Sequence, residues 1–310
     1  MALLVAVVTI FLLTSTALQA QTGSSKPRSS LVYIADSENS RLNQRLRELL
    51  VEAFGGSVIF RSFVAGQAAQ DRESPVIAIG PGAFARVRQE NDQVPVLGLL
   101  VEEPYVDLSS DQPRQKVSAV LSSPALIRQA AIGKAILPYA TRVAMLATPD
   151  TEHLYSYILD DLDKLGMEGR VFLVSSDKNL IPTLIRALRY GDFVLAAPDS
   201  SIYNPRTIKH ILLTAYRRNR IVIGPSQAYV KAGSLASSYT PLRAVAKMAS
   251  DYIRNYWQHD EFPEPAHPND FGIEVNRQVG RSLNIPLQER SILIDAVLQR
   301  LESLEASTNE

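Results

Sequence analysis

From Ser30 onward, short runs of β-branched and other apolar residues alternate with segments whose apolar residues recur at helical spacing, and the whole alternation occurs twice. Few architectures accept that pattern. A strand that is apolar throughout must be covered on both faces, and a helix between two such strands supplies both the cover and the return path. The alternation therefore predicts right-handed βαβ units and parallel sheets.

In the first series, strands are predicted at Leu31 to Ala35, Ser57 to Phe60, Pro75 to Ile79, Val94 to Val101 and Lys116 to Leu121. Between them, Ser40 to Phe54 places Leu42, Leu46, Leu49, Leu50 and Ala53 on one helical face and stops at Gly55-Gly56. A second helix follows Gly80-Pro81-Gly82 and runs to Gln89. The second series opens at Ser123-Pro124 with a helix over Ala125 to Leu137. It continues with strands at Arg142 to Ala147, Arg170 to Val174, Asp192 to Ala197 and Arg220 to Ile223. Helices are predicted over Thr151 to Leu165, Asn179 to Arg189 and Pro205 to Arg218. Two such series predict an α/β protein of two doubly wound parallel-sheet lobes, the first over 29–121 and the second over 122–226.

Composition narrows the function classes. With 32 basic and 32 acidic residues the net charge is zero, so there is no concentrated basic face for a phosphate backbone and no nucleic acid is expected as partner. The densest positive run, Arg217-Arg218-Asn219-Arg220, reads as the last turn of a helix, where cations meet exposed carbonyls. Residues 1–20 read as a secretory signal: Ala2 to Ala20 carries no charge, Leu3 to Leu13 is almost wholly apolar, and cleavage is expected after Ala20. The chain has no cysteine, which removes disulfides, thiolate metal sites and thioether lipid attachment. A freely soluble periplasmic protein is the expectation.

In open parallel sheets, ligands sit beyond the C-terminal ends of the strands. That rule selects Asp36-Ser37, Gly80-Pro81, Glu102-Glu103, Thr148-Pro149-Asp150, Ser175-Ser176, Asp199-Ser200-Ser201 and Pro225-Ser226-Gln227. The N–H groups after Gly80 and Pro81 suit a carboxylate, Ser226 adds a hydroxyl at another helix start, and Asp199 suits an ammonium group. Together they would hold an amino-acid-like zwitterion. Each also has an ordinary structural reading, with Asp199 and Ser226 as helix caps and Gly80-Pro81 as a tight turn. The four histidines, His153, His210, His259 and His267, show no ligand spacing, so neither a metal nor a cofactor is expected. Gly224-Pro225-Ser226-Gln227-Ala228 has the outline of a hydrolase nucleophile elbow, with Asp251 or Asp260 and then His259 or His267 as partners in chain order. Its last position is Ala rather than Gly, and Pro225 restrains the turn.

The strand and turn Ile221-Val222-Ile223-Gly224-Pro225-Ser226 lead into Tyr229-Val230-Lys231-Ala232-Gly233-Ser234-Leu235-Ala236-Ser237. A long amphipathic helix, a Pro-rich stretch, Phe271-Gly272-Ile273-Glu274-Val275-Asn276 and Leu283-Asn284-Ile285-Pro286 complete the order. This resembles the end of the ABC-transporter substrate-binding proteins of the tryptophan/tyrosine type, with their "PVFG", "V-x-x-G-A-L-A-S" and "L-x-I-N-x-x-x-A-x-x-L-G-I-x-I-P". The segment from Ile136 to Leu146 and the run Asp192 to Asp199 are similar to further family segments, while Glu102-Glu103-Pro104 departs from the family's "D-P".

The resemblance implies a type I periplasmic binding protein whose lobes are joined by three crossings, near Ser122, within Ser226 to Ser238, and within Asn269 to Asn276. Lobe 1 would then be completed by 227–268 and lobe 2 by 269–287, with 288–310 as an added helix and tail. It implies no enzyme activity, a small-molecule ligand in the inter-lobe cleft, and an ABC permease and ATPase on other chains. Ser37, Gly80, Pro81, Ser122, Thr148, Asp199, Ser200, Ser226 and Gln227 are the expected contacts. The altered first lobe and the added helix leave a second reading open, a sensory or protein-binding relative without transport. A hydrolase using Ser226 is the third.

Overall fold

Successive strand residues point to opposite faces of a sheet, so a strand buried at every position needs cover on both sides. The computed structural model, which describes residues 30–64, 74–90, 93–102, 116–121 and 125–308, contains two sheets covered in this way. The first joins β1 (Leu31–Ala35), β2 (Ile59–Ser62), β3 (Val76–Ile79), β4 (Val96–Val101) and β5 (Val117–Leu121) in the order β2-β1-β3-β4-β5, all parallel. Val32 and Ile34 of β1 enter one core layer, while Tyr33 and Ala35 enter the layer on the opposite face. Helix α1 (Ser40–Phe54) covers the first face, capped by the Asn39 side chain and ended at Gly55 in the left-handed region (φ 64). Helix α2 (Pro81–Glu90) covers the other with Ala83, Phe84 and Val87.

The second sheet joins β6 (Arg142–Ala147), β7 (Glu168–Leu173), β8 (Phe193–Leu195), β9 (Ile221–Ile223), β10 (Ala236–Tyr239) and β11 (Gly272–Val275). Its order is β11-β10-β9-β8-β6-β7, parallel except for the β10–β11 pair. Here too the strands serve two layers: Val143 and Met145 face one core, Ala144 and Leu146 the other. Helices α3 (Leu126–Ile136) and α4 (Leu159–Lys164) lie on the first face, and α5 (Leu180–Tyr190) and α6 (Ile208–Tyr216) on the second. These are two doubly wound α/β lobes.

The chain passes between the lobes three times, and the structure moves one of the expected crossings. Helix α7 (Gln227–Ala232) and β10 stay in the second lobe, because the buried Ala236-Ser237-Ser238 run pairs with β9 and β11. The first lobe therefore does not take 227–239; the chain leaves the second sheet at Tyr239, just before α8 (Leu242–His259). Helix α8 packs beside α1 on the first sheet, where Trp257 meets Phe54 and Arg243 pairs with Glu52 at 2.7 Å. Tyr252 and Tyr256 are core residues there, and Tyr256 stacks on Phe262 at 4.6 Å. The third crossing follows Ala266, which pairs with β5, and reaches β11.

After α9 (Arg277–Ser282), α10 (Arg290–Thr308) is no detached tail, since its Leu293, Val297 and Leu304 are buried in the second lobe's core. The predicted helix over 151–165 is also divided. Glu152–Ile158 is a 3-10 helix and only Leu159–Lys164 is α-helical. The tighter turn aligns residues three apart, which is why Tyr155 and Ile158 are the buried pair.

Candidate functional site

At the C-terminal edge of the first sheet, Ser37 and Gly80 lie side by side; a Cβ on Gly80 would stand 3.9 Å from that of Ser37. Gly80 adopts φ +83, a conformation costly for residues with a Cβ, and its N–H donates to the Leu99 carbonyl at 2.7 Å. Pro81 has no N–H. The donors left in the first turn of α2 are thus the amides of Gly82 and Ala83. The Ser37 hydroxyl donates to Asn43 Oδ1 at 2.6 Å and accepts from the Asn39 N–H, so it braces the entry to α1. At the end of β4, Leu100 turns to φ 57 where the β4–β5 register shifts, and partial burial raises the carboxyl of the following Glu102 above its usual range.

The second lobe's edge is built around Asp199. Its Oδ2 accepts from the Thr151 hydroxyl at 2.6 Å and its Oδ1 from the Ser201 N–H at 2.8 Å. Thr151 Oγ1 also receives the Thr148 N–H at 2.9 Å and contacts the Thr148 hydroxyl, so Thr148, Thr151 and Asp199 form one network. Asp199 is 3% exposed and both its carboxylate oxygens are engaged. The expected partner of a ligand ammonium is instead the group that shapes the 199–203 loop, as in an Asx turn. Beneath it, Tyr155 Oη accepts the Ala197 N–H at 2.8 Å, and the Tyr229 hydroxyl donates to the Tyr203 carbonyl. Burial, reinforced by the charge of Asp199, pushes the Tyr155 and Tyr203 hydroxyls above the usual phenol range.

Outward on this edge Asp150 and Ser200 are exposed, and Ser226 and Gln227 are half-buried. Ser226 is extended (φ −162, ψ 168) and makes no side-chain cap. That backbone is not the strained turn of a nucleophile elbow, and Ser226 bonds no histidine. Asp251 lies 3.6 Å from Arg254 on α8. Ser122, Glu103 and the signal segment lie outside the described residues. The hydrogen bonds of Ser37, Gly80, Thr148 and Asp199 all stay within their own lobe.

Two residues that sequence reasoning passed over govern the crossings. Gln129 Nε2 donates to Ser237 Oγ at 3.0 Å and its Oε1 accepts the Ser238 N–H at 2.9 Å, with all three residues fully buried. Arg128 Nη2 donates to the Pro268 carbonyl at 3.1 Å, and the guanidinium lies 4.4 Å over the Phe271 ring. Adjacent residues of α3 thus hold the other two crossings on the second-lobe side. On the first-lobe side, Ser118 Oγ donates to the Pro263 carbonyl at 2.5 Å and the Leu121 N–H to that of Ala266 at 3.0 Å. The available signal was two large polar side chains inside the otherwise apolar run from Leu126 to Ile132.

One expectation follows for Asp199. Asp199→Asn keeps the Ser201 bond and exchanges a charge-assisted bond to Thr151 for a neutral one. Stability should fall by about 1 kcal/mol, read as a lower urea midpoint. A wild-type midpoint would mean that the carboxylate is not held as described.

No family model and no curated protein sequence matches the chain. Solved structures do. The ligand-free, open structure of a substrate-binding protein with adhesive properties from Clostridium difficile matches with a TM-score of 0.67 at 12% identity, over 84% of this chain and 96% of that one. A conserved domain protein from Vibrio cholerae matches at TM-score 0.54 and 15% identity, over 88% and 98% of the two chains. An ABC domain in complex with L-Trp from Streptococcus pneumonia matches at 0.53 and 13%, over 87% and 98%. At such identities the likeness is one of fold. What the chain shares with them is the two-lobed, periplasmic-binding-protein-like α/β fold.

Proposed function

We propose that this chain is the exported solute-binding component of an ABC-type importer of the tryptophan/tyrosine kind. A small, amino-acid-like ligand enters between the lobes, favours the closed population, and is presented to a permease and ATPase on other chains. The observation that supports this most is the division of polar groups between the two sheet edges. The first lobe offers the Gly82 and Ala83 amides beside Ser37 and Gly80, and the second offers Thr148, Ser200, Ser226 and Gln227. The third crossing is tied on both sides, to Leu121 through Ala266 and to Arg128 through Pro268, so closure would be a rotation of one lobe against the other. With Asp199 engaged internally, the second lobe would read its ligand through hydroxyls, an amide side chain and shape.

The export step rests on the sequence of residues 1–20, and the mature chain is expected in the periplasmic fraction. The C-terminal helix on the second lobe favours a second reading, a sensory or protein-binding relative that does not serve transport. Ser226 lacks the setting of an activated nucleophile, so the proposal is binding without chemistry.

A thermal-shift screen with L-tryptophan, L-tyrosine, other amino acids and small anions tests the reading. A cognate ligand at about 100 times its Kd adds about 2.7 kcal/mol of stability, which is a clear rise in Tm. Ser226→Ala should reduce that rise, and loss of the gene should slow uptake of the same solute. If none of these compounds moves the Tm, solute binding is the wrong reading. If a ligand binds but uptake is unchanged, the relative without transport replaces the importer.

A further inference from the structure

Arg128 is buried, at 7% exposure, yet meets no carboxylate among the described residues. One nitrogen donates to Pro268, the plane rests on Phe271, and Nε and Nη1 have no hydrogen-bond partner among the described residues. Burial accordingly pulls its pKa down to about 10. A guanidinium removed from water with a single hydrogen bond carries a desolvation penalty that an anion would offset. The nearby acid Asp161 is already held by Lys164 at 3.1 Å.

Arg128 also lines a cavity of about 670 Å³ between the start of α3, the third crossing and the end of α10. That is the size class of small-molecule sites. Most of its remaining wall is apolar, from Ile127 and Phe271 to Leu298, Leu301 and Leu304, with Asn269, Glu302 and the Lys164-paired Asp161 also on the lining. A buried cation with unused donors beside an apolar wall is the complement of one chemistry.

We propose that this cavity is a second ligand site, separate from the inter-lobe cleft, which takes a small organic carboxylate with an apolar body. The carboxylate pairs with Arg128, and the body lies among Phe271, Leu298 and Leu301. Two sources share this chemistry, a short fatty acid and an apolar amino acid. The ammonium of the latter would also suit Glu302. Because Arg128 holds Pro268 and α10 supplies the opposite wall, an occupant would join the C-terminal helix to the hinge.

Isothermal titration of the mature chain with hexanoate, leucine and inorganic phosphate tests the site. Saturable binding of hexanoate or leucine is expected, and whichever binds identifies the source. Arg128→Met should weaken it by about tenfold or more, as for loss of a hydrogen bond to a charged group. Because Arg128→Met also removes the Pro268 tie, Leu301→Trp provides a second variant. It sets a bulky ring where the ligand's apolar body would lie, leaves Arg128 in place, and should abolish binding with a Tm near that of the wild type. The proposal is overturned if neither carboxylate binds saturably or if phosphate alone binds. Carboxylate binding that survives Leu301→Trp but falls in Ser226→Ala belongs to the inter-lobe cleft and equally overturns the second site.

Discussion

Phe193→Ala is expected to cost about 3–5 kcal/mol, the range for emptying a buried aromatic site. Phe193 is fully buried in β8, and its ring occupies the space that the missing side chain of Gly133 leaves open on α3. A Cβ added at Gly133 would stand 2.5 Å from the end of that ring. Gly133→Val in the wild-type background is therefore an overpacking change, costing about 1–3 kcal/mol. In the Phe193→Ala background the valine has room, and the two changes together should cost less than their sum. Urea unfolding of the four proteins of this cycle measures the coupling, and strictly additive losses would show that the two sites do not share one space.

Gln129→Leu carries the other large effect. The leucine fills a similar volume but strands the Ser238 N–H, while the Ser237 hydroxyl loses the Gln129 amide and keeps its bond to the Ser238 carbonyl at 3.0 Å. An unsatisfied buried group costs about 1–3 kcal/mol, which is a clear drop in Tm. A structural change confined to stability is only half of the expectation. Since the amide fixes the second crossing to α3, its loss should also weaken binding of any inter-lobe ligand by loosening the hinge. Unchanged stability and affinity in Gln129→Leu would show that the crossing is held by other means.

The fold was legible because its strands are buried on both faces. Runs such as Val76-Ile77-Ala78-Ile79 and Val143-Ala144-Met145-Leu146 allow no other reading when helices lie between them. The crossing after Tyr239 was harder. Ala236-Ser237-Ser238-Tyr239 carries little strand propensity, and it is a strand because β9 and β11 flank it and Gln129 satisfies its polar groups. The 3-10 segment was hidden for a related reason. Leu154, Ile158, Leu162 and Leu165 fit a regular helix equally well, and the tertiary bonds from Thr151 to Thr148 and Asp199 select the tighter turn.

At the strand ends, sequence reasoning selected candidate positions but could not say which side chains were already engaged. Asp199 lies four residues beyond β8 and Ser226 three beyond β9, yet one is enclosed by Thr151 and Ser201 and the other is not. Arg128 and Gln129 act at the crossings from within a helix, where no rule about strand ends looks.

The late return of α8 to the first sheet orders the birth of the molecule. When Leu121 has been made, every strand of the first sheet exists, but the face carrying Val32, Ile34, Ile77 and Leu97 still lacks Val245, Ala249 and Ile253. Those residues arrive only after ten of the eleven strands have been synthesised. The first lobe cannot close its core before α8 is made, when most of the second sheet already exists, and the second in turn awaits β11 and α10 from beyond α8. Neither half can mature as an early, self-sufficient unit. The first is complete only with α8, and the second only with α10 at the far end of the described chain.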